Sequence, residues 1–374
     1  MKKIFFLILL PISLNSFSQN IHVSRGIDTN IFKVSEPLNL WLDFLNTKDD
    51  STGSKYWNKN EVEKYGNTSY FRIEKFMYFG RPNYLKLASN IDLKVLGIRK
   101  VGELFKITTS FEFPQKDTVN EIMYIFNVFA GYEEGKLKLY NAVNVNPTIQ
   151  SKTVGYVKYH FPKNHIFNYK LAKKQNDFLV NFCKDFKVPM DTIDYYFAST
   201  EEELNRMRGV IYSYVNNGIE IPSGKADSDT RMVFCSGSGE YYPHEILHIL
   251  IGPYYKNCHH WFNEGFATYF GMSRGKELNW HLERLNSYLL KHPEIDLNNM
   301  LKYRALDSYT SYQYVLGGYL IKKAHEKGGI ELIKKMLNAG RTKEEFYNAI
   351  ETHLGIKKTD LNGTIREDLK EMFK

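Results

Sequence analysis

The stretch YYPHEILHILIGP, residues 241–253, sets two histidines four positions apart with a glutamate directly after the first. A helix advances about 100° per residue, so side chains at i and i+4 leave one face a turn apart, and His244 and His248 converge. Pro243 suits the first helical position, and Gly252-Pro253 stops the helix. Between them Ile246, Leu247, Ile249, Leu250 and Ile251 bury it. Two imidazoles on one face can share a divalent metal, and Glu245, one step round, can then take a proton from a metal-bound water. A plain core helix with histidines along its polar side has the same pattern, so the metal reading requires a third ligand.

The next motif offers one. In HHWFNEGFATYFG, residues 259–271, Glu264 follows His248 after an interval, 249–263, that holds a helix end, a reversal and the start of a second helix packing back on the first. Gly265, Ala267 and Gly271 permit close helix approach, and Phe262, Phe266 and Phe270 supply a buried face. A carboxylate among so many apolar neighbours is costly unless a cation compensates it. His259 and His260 lie on the same segment, and one of them is a further candidate ligand or substrate contact. Adjacent helical residues point about 100° apart.

Taken together, HEILH followed by WFNEGFATYF resembles the gluzincin metallopeptidases, especially the aminopeptidase-N-like branch, whose second motif reads W-x-N-E-G-F-A. The resemblance spans residues 155–374, with its specific part at 244–318. It implies a zincin-like fold and a Zn²⁺ cofactor held by His244, His248 and Glu264, with Glu245 as general base and a peptide or protein as substrate. The same branch places a tyrosine ahead of a glycine on a later helix. SYQYVLGGYL, residues 311–320, supplies Tyr314 before Gly317, with Tyr309 and Tyr312 as alternatives for holding the oxyanion. Two departures stand out. The interval before the glutamate is a few residues short for that branch. No G-A-M-E-N-like segment precedes the histidine helix, where CSGSGEYY stands instead, and this weakens an aminopeptidase assignment in particular. The rival class is a zincin-fold binding module of the cell envelope that hydrolyses nothing. The intact Glu245 weighs against it, because a structural zinc site closes its fourth position with a protein ligand.

The rest of the chain bounds these readings. MKKIFFLILLPISLNSFSQN carries two lysines, an apolar run from Ile4 to Ile12 and a small-x-small site at Ser16 and Ser18. It reads as a signal peptide, residues 1–18, and implies a secreted or periplasmic protein with no lipid-anchor cysteine. No other apolar run reaches the length of a membrane span. Three widely spaced cysteines, Cys183, Cys235 and Cys258, make neither a disulfide framework nor a thiolate metal knuckle. The net charge of +8 includes the leader lysines and is otherwise spread over solvated helix faces, so nucleic acid is not expected as a partner. SGSG lacks the strand–turn–helix setting of a serine-hydrolase elbow. His160, His165, His281, His292, His325 and His353 read as solvated or capping residues.

The expected fold class is α+β. Residues 19–150 form an accessory domain, a helix laid on an antiparallel sheet. Its helix is capped by Ser35, with Leu38, Trp41, Leu42 and Leu45 on one face, and its sheet contains the alternating strand FKITTSFEF and a hairpin turning at Glu133 to Gly135. Residues 151–374 form the metallopeptidase domain, a mixed sheet followed by a helical bundle with the histidine helix at their junction. Capping boxes at Thr200 with Glu203 and Thr342 with Glu345 start two of its helices.

Overall fold

The computed structural model describes residues 20–46, 53–66, 92–114, 119–214 and 221–374. The expected leader, residues 1–18, lies outside them. The protein is α+β, with two mixed sheets and a helical C-terminal region. Among the described residues no helix is long and apolar enough to cross a membrane.

The chain divides into two compact units. In the first, strands β1 (Asn20–Val23), β2 (Asp92–Val101), β3 (Leu104–Phe113), β4 (Glu121–Glu133) and β5 (Lys136–Asn141) lie in that order in one sheet, antiparallel except where β1 runs alongside β2. The hairpin between β4 and β5 turns through Glu134 and Gly135, both at positive φ, which matches the right-handed twist of the paired strands. Helix α1 (Phe32–Leu45) places Leu38, Trp41, Phe44 and Leu45 in the core with Ile107, Phe111 and Phe126 of the sheet. The Trp41 indole donates to Thr109 Oγ1 at 2.9 Å, so its one polar atom is satisfied inside. Ser35 is not the cap. The first intrahelical bonds, from the Val34 and Ser35 N–H groups, both end on the Ile31 carbonyl and put Ser35 inside the first turn. Helix α2 (Lys59–Tyr65) is capped by Asn58, which accepts from the Glu61 N–H.

The second unit begins at Val143, ahead of the boundary at 150 expected from sequence. The reason is strand β6 (Ile149–Val154), which pairs antiparallel with β7 (Val157–Pro162) and so belongs to the second sheet. Helix α3 (Tyr169–Phe186) leads to β8 (Ile193–Ala198) and then to α4 (Glu201–Met207). Thr200 caps α4 by accepting from the Glu203 N–H, while the Glu203 carboxylate reaches back to the Ser199 N–H. The chain next forms β9 (Val210–Ser213), which returns to the first sheet and extends the edge of β4 beyond β5. Strands β10 (Ser223–Asp227) and β11 (Met232–Ser236) complete the second sheet in the order β10-β11-β8-β7-β6. Its three inner strands are parallel and both flanking strands antiparallel.

Helices follow: α5 (Pro243–Ile251), α6 (His260–Gly271), α7 (Leu278–Lys291), α8 (Tyr312–Leu337), α9 (Lys343–Ala349) and α10 (Leu361–Met372). Helix α8 is two segments joined where Gly328 and Gly329 leave helical geometry, Gly329 at positive φ. Thr342 and Glu345 form a reciprocal capping box at the start of α9. All three cysteines are free.

Candidate metal centre

Helix α5 is buried on nearly every side, with Pro243 at its first position. Its start is fixed from two directions. The Tyr242 N–H donates to Gln175 Oε1 on α3 at 3.0 Å, and the far end of α6 lies against His244. A Cβ on Gly271 would stand 2.7 Å from the His244 nitrogen, so only glycine admits this approach. Just past it, the Met272 carbonyl lies 2.6 Å from His244 Nδ1.

That contact sets the chemistry of the ring. A carbonyl oxygen can only accept, so Nδ1 carries the proton and the neutral ring presents the Nε2 lone pair on its other side. His244 Nε2 lies 3.3 Å from Glu264 Oε2, and His248 Nε2 lies 3.5 Å from the same oxygen. The two rings meet edge to face with centroids 5.0 Å apart. With both Nε2 atoms turned to one carboxylate oxygen, the three groups surround a point that a cation can occupy. Charge-assisted N–H···O bonds run about 2.7–2.9 Å, shorter than either separation here. A tetrahedral metal fits better. Bonds of about 2.0–2.1 Å place neighbouring ligand atoms roughly 3.3–3.4 Å apart. His244, His248 and Glu264 thus form a group able to hold a metal ion, their ligating atoms all within 4.8 Å of one another.

With no ion present, the same groups pair their charges directly. Burial opposes ionisation of Glu264, but the two histidines outweigh it and hold the carboxyl well below its usual range. Burial likewise opposes charge on His248, but Glu264 prevails and raises its pKa to about 9. His248 Nδ1 is buried without a hydrogen bond of ordinary geometry, and the Asn263 side chain is beside the ring.

Glu245 is 8% exposed. Burial raises its pKa, the two histidines pull it down and Glu264 pushes it back up. It lies directly against the edge strand β10, where a Cβ on Gly224 would fall 2.5 Å from Glu245 Cγ and 2.6 Å from Oε1. Sequence reading did not single out Gly224. A lone glycine in the polar run SGKAD signals close approach only once the opposing group is known.

Tyr314, in the first turn of α8, meets His244 edge to face with centroids 5.9 Å apart. Burial raises its pKa, with Glu264 and Glu245 adding to the shift, so the phenol keeps its proton at neutral pH. Backbone contact brings it there. A Cβ on Gly265 of α6 would overlap the Gly317 backbone of α8, so the two helices touch glycine to glycine one turn from Tyr314. The alternatives are held elsewhere. Tyr312 stacks on Tyr303, and Tyr309 packs against Trp280.

Of the flanking pair, His260 Nδ1 is 3.8 Å from Glu264 Oε1, whereas His259 caps α6 by accepting from the Trp261 N–H. Cys258 is no nucleophile, since burial raises its thiol pKa to about 12. Of the remaining histidines, expected to be solvated or capping, His160 and His281 are buried instead. His281 is fully buried between Thr310 Oγ1 and the Ser273 carbonyl, and His160 stacks on Tyr196 and pairs with Asp194 at 2.7 Å. Each sits where a polar partner from another element makes burial affordable, which local sequence does not reveal. The chain matches no protein-family model, and no curated protein matches it.

Proposed function

We propose that this chain is a zinc-dependent peptidase of the gluzincin type with a zincin-like second unit, exported by its leader. One observation carries the proposal: a single carboxylate oxygen of Glu264 faces both Nε2 atoms at 3.3 and 3.5 Å, with Glu245 buried in the next position on the same helix. His244, His248 and Glu264 would hold the ion. Three neutral-or-anionic N/O donors suit Zn²⁺ and leave a fourth position open, as in hydrolytic rather than structural sites. When bound, zinc supplies a Lewis acid that lowers the pKa of water and polarises a carbonyl.

The remaining work falls to the chain's own groups. Glu245 takes a proton from the attacking water on its carboxylate and returns it to the departing amine. Gly224 keeps the wall opposite Glu245 free of side chain, so the carboxylate holds its position. The Tyr314 phenol, kept protonated by burial, donates a hydrogen bond to the oxyanion of the tetrahedral species. Met272 fixes the His244 tautomer through Nδ1 and so keeps Nε2 a ligand atom. Peptide bonds suit this set because they need both carbonyl activation and leaving-group protonation.

The test is cleavage of a peptide library by the zinc-loaded full chain, with and without chelator. Cleavage that chelator abolishes and zinc restores supports the proposal. A wild-type protein that binds zinc stoichiometrically yet cleaves nothing supports the binding-module alternative instead.

A further inference from the structure

A groove of roughly 760 Å³ adjoins the ligand group. Its walls are the end of the histidine helix, the turn after it and the first turn of the glutamate helix. The Glu264 carboxylate joins the two places: Oε2 faces the histidine pair, while Oε1 faces His260, which lines the groove together with Asn263. The groove and the ligand group thus meet at one carboxylate.

Its charge is asymmetric. Lys256 and Arg341 line it against a single carboxylate, Asp229. Arg341 donates through Nη2 to the Lys256 carbonyl, which ties the guanidinium to the wall and leaves its other N–H groups for a ligand. Beneath the groove, Glu264 and Glu345 bring negative charge near Cys258 and His259, and those two groups are themselves neutral. The Cys258 thiol donates to the His259 carbonyl, and the His259 ring is held neutral by burial and by neighbouring His260. A planar guanidinium is the side chain best matched to a carboxylate, and a lysine beside it adds a mobile second cation.

We infer that this groove is a substrate subsite for a carboxylate, either an acidic side chain near the scissile bond or the C-terminal carboxylate of a peptide, bound by Arg341 with Lys256. The inference rests on the peptidase reading above and names its substrate class.

It is tested on the zinc-loaded full chain with peptides that differ only in Glu, Gln or Lys at each position flanking the cleaved bond, each made with free and amidated C-termini. One position should favour Glu over Gln by about tenfold in kcat/KM. That preference should vanish in the double variant Arg341→Gln/Lys256→Gln and turn toward Lys in Arg341→Glu. A Glu-over-Gln preference assigns the side chain as the source; a preference for free over amidated C-termini, equal for Glu and Gln, assigns the terminal carboxylate. Calorimetric binding of the Glu and Gln peptides to the Glu245→Gln protein provides a readout independent of turnover, and Lys256→Gln alone, at an exposed position, guards against misfolding. Failure to cleave any peptide overturns the peptidase reading, and the calorimetry then judges the groove by itself. Equal affinity for the Glu and Gln peptides together with equal affinity for free and amidated C-termini, or a preference that survives the double variant, overturns the subsite.

Discussion

Two glutamates, a buried one in the first unit and a half-buried one in the second, show what distinguishes a structural carboxylate from a candidate metal ligand. Glu61, 3% exposed in the first unit, accepts from the Asn141 backbone N–H at 2.9 Å and from its side-chain amide, both donors by nature. Its charge is met by groups that need no third party. Glu264 in the second unit faces two imidazoles, one of whose other nitrogens is already committed to a carbonyl. Its neighbours are potential metal ligands, and the three groups together could hold a cation. Burial alone marks neither residue as functional; the donor or acceptor character of what surrounds it does.

The largest effect that could break this contrast is at Glu245. Glu245→Gln should lower kcat by about a thousandfold while leaving zinc stoichiometry at the wild-type value, measured by peptide hydrolysis alongside elemental analysis. Loss of zinc together with activity would mean that Glu245 serves the site's structure instead. The contrast is then sharpened by substituting the two carboxylates in parallel. Glu264→Gln should abolish the rise in Tm that zinc gives the wild type, whereas Glu61→Gln should keep that rise and lower stability by about 2 kcal/mol in urea unfolding. An equal zinc response in both variants would erase the distinction.

A smaller effect is expected where the base meets the sheet. Gly224→Ala forces a methyl group into Glu245, so kcat should fall about tenfold with zinc binding intact. Unchanged kcat would show that the carboxylate has room to spare. The smallest effect lies far from the metal, at Asp368, a carboxylate of the Glu61 kind. Burial opposes its charge, but Lys323 at 2.6 Å and the Tyr319 hydroxyl hold its pKa below the usual value. A depressed folded-state pKa adds stability above the unfolded value, about 3.9, which is lost as pH falls through the folded-state pKa. Asp368→Asn should therefore cost about 1 kcal/mol at pH 7 and flatten the stability profile on the acid side, as followed by urea unfolding between pH 7 and pH 2.

Much of the second unit was legible because its signals are local. Pro243 and Gly252 bracket the histidine helix, and the Thr342 box starts a helix where the sequence puts it. The three ligand positions come together because helical spacing fixes two of them and glycines at 265 and 271 let the third approach. What escaped notice depends on distant partners. Strand β9 is a short segment whose place is set by the edge of β4, and β6 reads as polar linker until β7 lies beside it. Gly224 has meaning only through Glu245, and buried His281 only through Thr310 and Ser273. Ser35 misled for the opposite reason: a good capping residue stood one turn inside a helix that begins on an Ile31 carbonyl.

The central claim is that a metal ion completes the ring of His244, His248 and Glu264. The most direct measurement is elemental analysis of the full chain, purified without chelator and re-equilibrated with zinc, beside His248→Ala and Glu264→Gln. The account predicts one zinc per wild-type chain and a substoichiometric amount in both variants. Metal-free wild type after re-equilibration, or zinc retained equally by both variants, would contradict it.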